Sequence, residues 1–445
     1  MAKMSRSLSK ELSKLAKTES LKATLQSCFS EEWLRETAST TGLVKRRSKV
    51  DIVAFFWTLV LGFGTGTFRS LAELRRSFES SAGVEIVPST FYDRFTPTLC
   101  LFLKKAVARA CATLSEPAMR PGGMLSGFLD LVVADASVIS LHKFLAEKFP
   151  ACRSSASSTR ASLKLHIVMS VFAASPRMVQ LFSERTKELK MLKVGKWVAG
   201  RLLLFDLGYY MFSLFERIDR NGGYFISRAK DNFNPVITST NTTCRGRSVV
   251  LVGKRLQDVL PLLKRKSFDV EALLDIKRRP YDGKQSIVSK PFRIVGVLND
   301  ETGAYHIYIT NVPGSQLSPE DVARTYRARW EVELLFKELK SQYRIDELPS
   351  SKEHIVEALI YIAILTMTVS RLLLNAVRTR MGLLPLQTPV RRWAVTFKNR
   401  AMKLLDLLLD LGPQHRKWRD LETFLAHEAK DPNVKRSRNI PDLAA

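Results

Sequence analysis

The amino-acid sequence predicts an α/β protein with a mixed sheet, a β-rich insertion, and helical regions at both ends. Three observations predict this class. Short apolar runs of strand length recur between residues 126 and 230, separated by turn-like and helix-like stretches. Residues 231–316 are rich in Asn, Thr, Ser, Gly and Pro, which is typical of short strands joined by turns. Residues 1–125 and those after 316 carry apolar residues at helical spacing.

The first region, residues 1–125, is expected to be helical. We expect an amphipathic helix over Phe68 to Phe78, a turn at Gly83, and a helix that Ser89 caps. Pro97 suits the first turn of the next helix. Two short helices around a glycine turn are typical of a helix-turn-helix DNA-binding unit, although purely structural helical domains also contain them. The basic charge of the chain favours the DNA-binding interpretation of residues 1–125.

Residues 126–230 are expected to form the first part of the core. The apolar run Phe128 to Ala134 is a predicted strand that ends at Asp135, and the run Leu202 to Phe205 ends at Asp206. Further strands are expected over three stretches, namely Leu163 to Phe172, Met178 to Phe182, and Tyr224 to Ser227. Both aspartates are therefore predicted at the C-terminal ends of strands.

Residues 231–316 are the predicted insertion, and residues 317–380 the second part of the core. Ser318 is expected to cap one long helix that continues through Lys340. Residues 381–445 are expected to be helical and to end in a basic tail with Lys435, Arg436 and Arg438.

The helix after the insertion carries a row of polar side chains. At about 100° per residue, Tyr326, Arg329, Glu333 and Lys340 share one stripe beside an apolar face. Arginine, lysine and tyrosine next to a carboxylate suit a phosphodiester substrate. The alternative is a surface helix with internal ion pairs, because Arg329 and Glu333 are i,i+4 partners. Trp330 lies beside the stripe, where it either lines the site or packs in the core.

Asp135, Asp206 and Glu333 can be interpreted one by one or as a set. Singly, Asp135 and Asp206 are typical of turns and helix caps. Together with Glu333 they could hold two hard divalent cations for phosphoryl transfer, because such cations prefer carboxylate oxygens.

Composition indicates a polyanionic partner. The chain has 70 Lys and Arg against 43 Asp and Glu, a formal net charge of +27. Such an excess favours nucleic acid, although a ribosome-like binder, a membrane-surface protein or a basic soluble enzyme also fits. The five cysteines lack a Cys-x-x-Cys pair, which argues against a zinc ribbon and a disulfide framework. The apolar runs Ile52 to Phe63 and Ala358 to Ser370 are shorter than the ~18 residues that a membrane span needs. We therefore expect a cytoplasmic protein without a membrane partner.

These motifs resemble the insertion-sequence-four family of DDE transposases. Tyr326, Arg329, Glu333 and Lys340 match the family's Tyr-(2)-Arg-(3)-Glu-(6)-Lys pattern, and the strands ending at Asp135 and Asp206 resemble its two aspartate strands. The resemblance covers roughly residues 125 to 380 and implies a ribonuclease H-like core.

The resemblance also implies a mechanism. Asp135, Asp206 and Glu333 would be catalytic and would hold two Mg²⁺ ions, for which Mn²⁺ can substitute. Tyr326, Arg329 and Lys340, with Trp330 beside them, would contact DNA at the transposon's terminal inverted repeats. A homodimer would join both ends to target DNA, at the nucleoid of a prokaryote.

One departure from the family concerns the insertion. Some relatives flip a base against a tryptophan there, but residues 231–316 contain no Trp. The aromatic residues that could replace it are Phe233, Phe268, Tyr281, Phe292, Tyr305 and Tyr308. Two alternatives to the transposase are a catalytically silent, sequence-specific DNA-binding protein of transposase ancestry and a ribonuclease H-like nuclease.

Overall fold

The computed structural model describes most of the chain. The described residues are 20–46, 50–63, 70–114, 121–152, 160–241, 243–244, 247–248, 250–263, 265–277, 286–348, 350–383, 387–410 and 415–431. Tyr281 and the predicted basic tail lie outside them.

The described residues of the N-terminal region form six helices. They are α1 (Leu21–Cys28), α2 (Glu31–Thr40), α3 (Ile52–Thr58), α4 (Leu71–Ala82), α5 (Pro88–Tyr92) and α6 (Pro97–Thr113). The side chains of Ser20, Ser30, Asp51 and Ser70 accept hydrogen bonds from the first turns of α1, α2, α3 and α4. Helix α3 continues into a π-helical turn over Leu59–Phe63.

The predicted helix-turn-helix is present only in part. Helix α4 ends at Gly83, which adopts the left-handed conformation with φ of 64°. Helix α5 has five residues, and Val87 rather than Ser89 occupies its N-cap. A helix this short offers little length for a DNA groove. Pro97 begins α6, as its sequence position predicts.

A nine-stranded sheet forms the centre of the molecule. Its strands are β1 (Asp130–Leu141), β2 (Ala161–Ser170), β3 (Ser175–Ser183), β4 (Arg201–Phe205), β5 (Tyr224–Arg228), β6 (Ile237–Thr240), β9 (Ser267–Lys277), β10 (Ile287–Leu298) and β11 (Tyr305–Thr310), in the order β3-β2-β1-β4-β5-β11-β10-β9-β6. Strand β1 is antiparallel to β2 and parallel to β4, and β4 is parallel to β5. The predicted mixed sheet is therefore confirmed. Strands β7 (Thr243–Cys244) and β8 (Arg247–Ser248) pair only with each other.

The insertion extends the core sheet. Strand β11 pairs with β5, with Ile309 opposite Ser227, and β10, β9 and β6 follow outward from it. The longer strands of residues 231–316 thus belong to the same sheet as the core. Short helices lie between strands, namely α7 (Glu188–Met191), α8 (Phe212–Arg220) and α9 (Leu256–Val259).

The C-terminal half is helical, in α10 (Pro319–Tyr326), α11 (Trp330–Ser341), α12 (Glu353–Met381), α13 (Val390–Leu409) and α14 (His415–Ala429). Helix α12 has 29 residues, so the run Ala358 to Ser370 belongs to a longer helix than its apolar stretch indicates. By length and composition α12 could cross a membrane, but 89% of its most apolar window is buried inside the protein. Such burial is typical of the central helix of a core.

The N- and C-terminal helices form one helical layer around α12. Helix α12 packs on α6 and α1, and α14 packs on α1 and α13. The Leu21 amide donates to Glu422 Oε1 of α14 at 2.7 Å, and Thr366 Oγ1 of α12 donates to the Val60 carbonyl at 2.6 Å. The two regions that flank the core in sequence therefore meet in space.

Candidate active site

Asp135 and Asp206 come directly after the last residues that pair between the parallel strands β1 and β4. The last residues that pair between β1 and β4 are Ala134 and Phe205, and each aspartate comes next in its chain. Neighbouring strands lie about 4.8 Å apart, so this register brings the two carboxyl-bearing residues side by side. Asp206 leaves the sheet at a 3₁₀ turn over Leu207–Tyr209, whereas β1 continues to Leu141. The prediction that Asp135 ends its strand is therefore wrong, because residues 136–141 remain paired with β2.

Alternation along β1 decides the face on which Asp135 lies. Leu131 and Val133 of β1 belong to the apolar cluster that includes Val332 and Leu335 of α11. Side chains at every second position share a face, so Asp135 faces the same helix. Glu333 is presented from that helix toward the edge of the sheet.

The polar row of residues 326–340 is not carried by one uninterrupted helix. Helix α10 ends at Tyr326, a 3₁₀ turn covers Arg327–Arg329, and α11 begins at Trp330. The backbone remains right-handed throughout, but the tighter turn rotates the residues after it relative to those before it. The prediction of a single helix from Ser318 through Lys340 is wrong at this point.

The row nevertheless stays at one edge of the sheet. Tyr326 donates its hydroxyl to the Phe205 carbonyl at 2.9 Å, next to Asp206. Glu333, Lys337 and Lys340 line a cleft of about 710 Å³ together with Asp135 of β1. The other residues of the cleft wall are Ala136, Ser137, Phe336, Ser341, Asp346 and Glu347. Tyr326 and Arg329 are half-buried and Asp206 is exposed, but none of these three residues lines the cleft.

Arg329 links the three acids. Its guanidinium Nη2 donates to Glu333 Oε1 at 2.6 Å, the i,i+4 ion pair foreseen as an alternative from the sequence. Burial lowers the pKa of Arg329, but its hydrogen bond to Glu333, the electrostatic effect of Tyr326 and the charges of Asp206 and Glu333 outweigh burial and raise the pKa overall. Arg329 also acts on Asp135, whose carboxyl it favours in the charged form.

Burial dominates the electrostatics of Asp135. It raises the pKa of the Asp135 carboxyl to about 6, opposed by the Ala136 amide, which donates at 2.7 Å, and by Arg329. Glu188 and Asp206 add to the increase, as like charges do. A divalent cation would relieve this repulsion.

The acids fit a divalent cation in chemistry but are not assembled around one position. Carboxylate oxygens are the ligands that Mg²⁺ prefers, and Asp135 and Asp206 are adjacent. Across the described part of the chain, however, no three carboxylate, imidazole or thiol side chains lie close enough to hold one metal ion. Glu333 instead pairs with Arg329.

Glu188 is a further acid near the site that the sequence did not indicate. It begins the four-residue helix α7, with Oε1 3.6 Å from Lys164 Nζ of β2. A Cβ on Gly208 would lie 1.9 Å from Glu188 Oε2, so the glycine after Asp206 makes room for this carboxylate. This role of the glycine depends on a contact between distant residues, which no local pattern reveals.

The remaining candidates divide into exposed and buried residues. Trp330 is 53% exposed, so it does not pack in the core. Phe233, Phe268, Phe292 and Tyr308 are buried, and only Tyr305 among the described insertion aromatics is partly accessible, in a separate pocket with Arg228 and Lys230. Four of the six proposed stacking residues are thus core residues.

Sequence comparisons identify a family for this chain. Residues 126–369 match the family described as Transposase DDE domain. The chain is 21% identical over 359 residues to the transposase for insertion sequence element IS1151 of Clostridium perfringens, covering 75% of this chain and 76% of that protein. It is 22% identical over 374 residues to the transposase for IS231F of Bacillus thuringiensis subsp. israelensis, covering 76% of each. The piggyBac transposase synaptic complex with hairpin DNA aligns with a TM-score of 0.44 and 12% identity, covering 94% of this chain and 86% of that chain.

The family match covers more than half of the chain, and together with the fold it defines a DNA transposase, an enzyme of DNA cleavage and strand transfer. The chain belongs to the Transposase DDE domain family. The resemblance to insertion-sequence transposases that the pattern from Tyr326 to Lys340 indicates is confirmed. DNA is its substrate, and membership of the family implies dependence on a divalent metal.

Proposed function

We propose that Asp135, Asp206 and Glu333 are the catalytic residues of this transposase and that they hold two Mg²⁺ ions, which Mn²⁺ can replace. The observation that carries the proposal is the register of β1 and β4, which sets Asp135 beside Asp206 at a cleft that Glu333 lines from α11. When bound, the ions would lower the pKa of the attacking water or hydroxyl and stabilise the leaving oxygen.

The other polar side chains would bind and orient the DNA. Arg329 can hold a phosphate through two hydrogen bonds, and Lys340 adds a positive charge on the cleft wall. Tyr326 fixes the start of the 3₁₀ turn to β4 through Phe205. Trp330, exposed one residue after Arg329, offers a ring to the same DNA.

The DNA partners in this proposal are the element's terminal inverted repeats and the target duplex. A homodimer would hold two ends in one complex, and the protein would act in the cytoplasm at the nucleoid. The formal charge of +27 supports such binding through the phosphate backbone.

The domain division is part of the proposal. Residues 1–125 would contribute to DNA binding, residues 126–230 and 317–380 would form the catalytic core, and residues 231–316 the insertion. Residues 381–445 would complete the helical layer, as the contact of Leu21 with Glu422 supports.

Cleavage and joining assays test the site assignment. The full chain is incubated with Mg²⁺ and a duplex that carries the element's own end, and both nicked ends and strand-transfer products are measured. We expect Asp135→Asn, Asp206→Asn and Glu333→Gln each to lose at least about a hundredfold in rate, because each loses a charged ligand. Asp346→Asn is the matched control, since Asp346 is an exposed acid on the same cleft wall. If any of the three variants cleaved as fast as this control, its residue would not be a ligand.

A further inference from the structure

The third acid of the site, Glu333, forms an ion pair with a cationic side chain of the protein itself, Arg329. Glu333 accepts a hydrogen bond from Arg329 at 2.6 Å, and among the described residues no three ligand-type side chains meet at one point. Two aspartates lie in register, so the missing contribution is that of Glu333. The ion pair with Arg329 thus engages the carboxylate of Glu333, one of the three acids.

Arg329 has the surroundings of a bound cation. Its side chain is 17% exposed and that of Glu333 33% exposed, so solvent screens the pair less than a surface pair. Asp206 and Tyr326 act on it from the side of β4, and Arg329 in turn acts on Asp135. One guanidinium thus supplies positive charge to all three acids.

We propose that Arg329 and a divalent cation compete for Glu333, and that a DNA phosphate releases Glu333 by taking Arg329 as its own partner. The ion pair is then a latch that keeps the metal site incomplete until DNA is bound. This inference rests on the proposed function, because it takes the three acids as the metal ligands.

The chemistry of the groups favours this exchange. A phosphate can take two parallel hydrogen bonds from a guanidinium, whereas Glu333 accepts one from Nη2 of Arg329. Lys337 and Lys340 on the same cleft wall add positive charge that draws a phosphate to this place. By linkage, DNA must tighten metal binding by the same factor by which metal tightens DNA binding.

A titration of Mn²⁺ without DNA tests the latch directly. Free Mn²⁺ is measured by electron paramagnetic resonance for the full chain and its variants. We expect Arg329→Gln to bind Mn²⁺ about tenfold more tightly than wild type, the effect of releasing a carboxylate from one hydrogen bond to a charged group. Loss of folding cannot produce such a gain. Arg329→Lys keeps the charge without the planar fork and should lie between the two.

Two controls separate the latch from simple charge removal. Lys340→Gln removes one positive charge from the same cleft and should change Mn²⁺ affinity less than threefold, because it frees no ligand. The double variant Arg329→Gln with Asp135→Asn should lose the gained affinity. If Arg329→Gln bound Mn²⁺ no more tightly than Lys340→Gln, or if the double variant kept the gain, the latch would be refuted.

A second titration adds a duplex of the element's end that is already cut, so that binding is read without turnover. Wild type should then bind Mn²⁺ about tenfold more tightly than without DNA, and Arg329→Gln should show little further change. Equal tightening in both proteins would overturn the exchange. Normal cleavage by wild type with unchanged Mn²⁺ affinity would contradict the latch alone, whereas cleavage by the Asp135, Asp206 and Glu333 variants would contradict the proposed function.

Discussion

His166 illustrates how burial sets the state of one side chain. Its imidazole is fully buried in β2, with its ring near those of Phe182 and Tyr209. Burial lowers its pKa to about 4, so the ring is neutral in the folded protein. This burial is what its position inside an apolar run of the sequence indicates. His166 is a core residue and not a metal ligand in this arrangement.

His166 should make stability depend on pH. The pKa in the folded state is lowered, so the unfolded chain alone binds the proton between about pH 6.5 and 4, and stability falls as pH falls through that window. Between pH 7 and pH 5, we expect wild type to lose about 2 kcal/mol more unfolding free energy than His166→Leu. Urea denaturation at the two pH values measures it. Identical losses in variant and wild type would show that His166 does not titrate in this way.

The residues of the site were predictable to different degrees. Asp206 ends an apolar run, and its strand ends with it, so sequence alone placed it. The strand that leads to Asp135 was predicted, but Asp135 does not end it, because the continuation of β1 to Leu141 depends on pairing with β2, which local pattern does not encode. Glu188 was missed because its contact with Gly208 joins residues twenty positions apart.

At the level of elements, one buried ion pair anchors α11. Arg371 of α12 donates Nη2 to Glu338 of α11 and Nε to the Ala174 carbonyl, at 2.8 Å for the latter. Both side chains are almost fully buried, at 1% and 7% exposed. The pair ties the helix that carries Glu333 to the central helix and to the turn between β2 and β3.

Breaking this pair should be costly. Arg371→Met leaves the Glu338 carboxylate buried without its cation, so we expect a loss of about 3 kcal/mol or more in unfolding free energy. The double variant with Glu338→Gln removes the stranded charge and should recover part of that loss. Thermal or urea denaturation measures both. A double variant less stable than Arg371→Met would argue against a stranded charge as the cause.

The presence of strands and helices in the core was predicted better than the points at which they begin, end or are interrupted. Strands β4 and β5 were placed within a few residues because buried strands have continuous apolar runs. The 3₁₀ turn over Arg327–Arg329 was not, since its residues have no turn-forming composition and periodicity alone favours an unbroken helix. Helix α5 begins at Pro88, with Val87 rather than Ser89 at its N-cap, so it starts earlier than predicted.

For the whole molecule, the charge of +27 predicts the salt dependence of DNA binding. A protein that neutralises six or more phosphates loses about a thousandfold in affinity between 50 and 200 mM salt, because released counterions drive binding. We expect at least this loss, with a similar slope for an unrelated duplex. Fluorescence anisotropy at several salt concentrations measures it. A nearly flat dependence would mean that few phosphates are contacted.

The overall class was predictable, whereas the continuity of the sheet was not. An alternation of apolar strands and helices indicates a mixed sheet, and it was found. The pairing of Tyr308 in β11 with Arg228 in β5 spans eighty residues, and no local signal specifies which strand β11 joins. The same is true of the meeting of α1 and α14 beside α12.

That meeting has a consequence for how the protein is made. Leu21 and Glu422, which share a hydrogen bond, are 401 positions apart. During synthesis, α1 therefore cannot make this contact until α14 has been translated. At roughly 5–20 residues per second, the ribosome needs on the order of half a minute or more to deliver that partner. During this time the apolar faces of α1 and α6 lack their final cover, and contacts of such long range form slowly. The nascent chain is thus most exposed to aggregation and to chaperones in its N-terminal helices, and its folding can finish only once α14 has emerged.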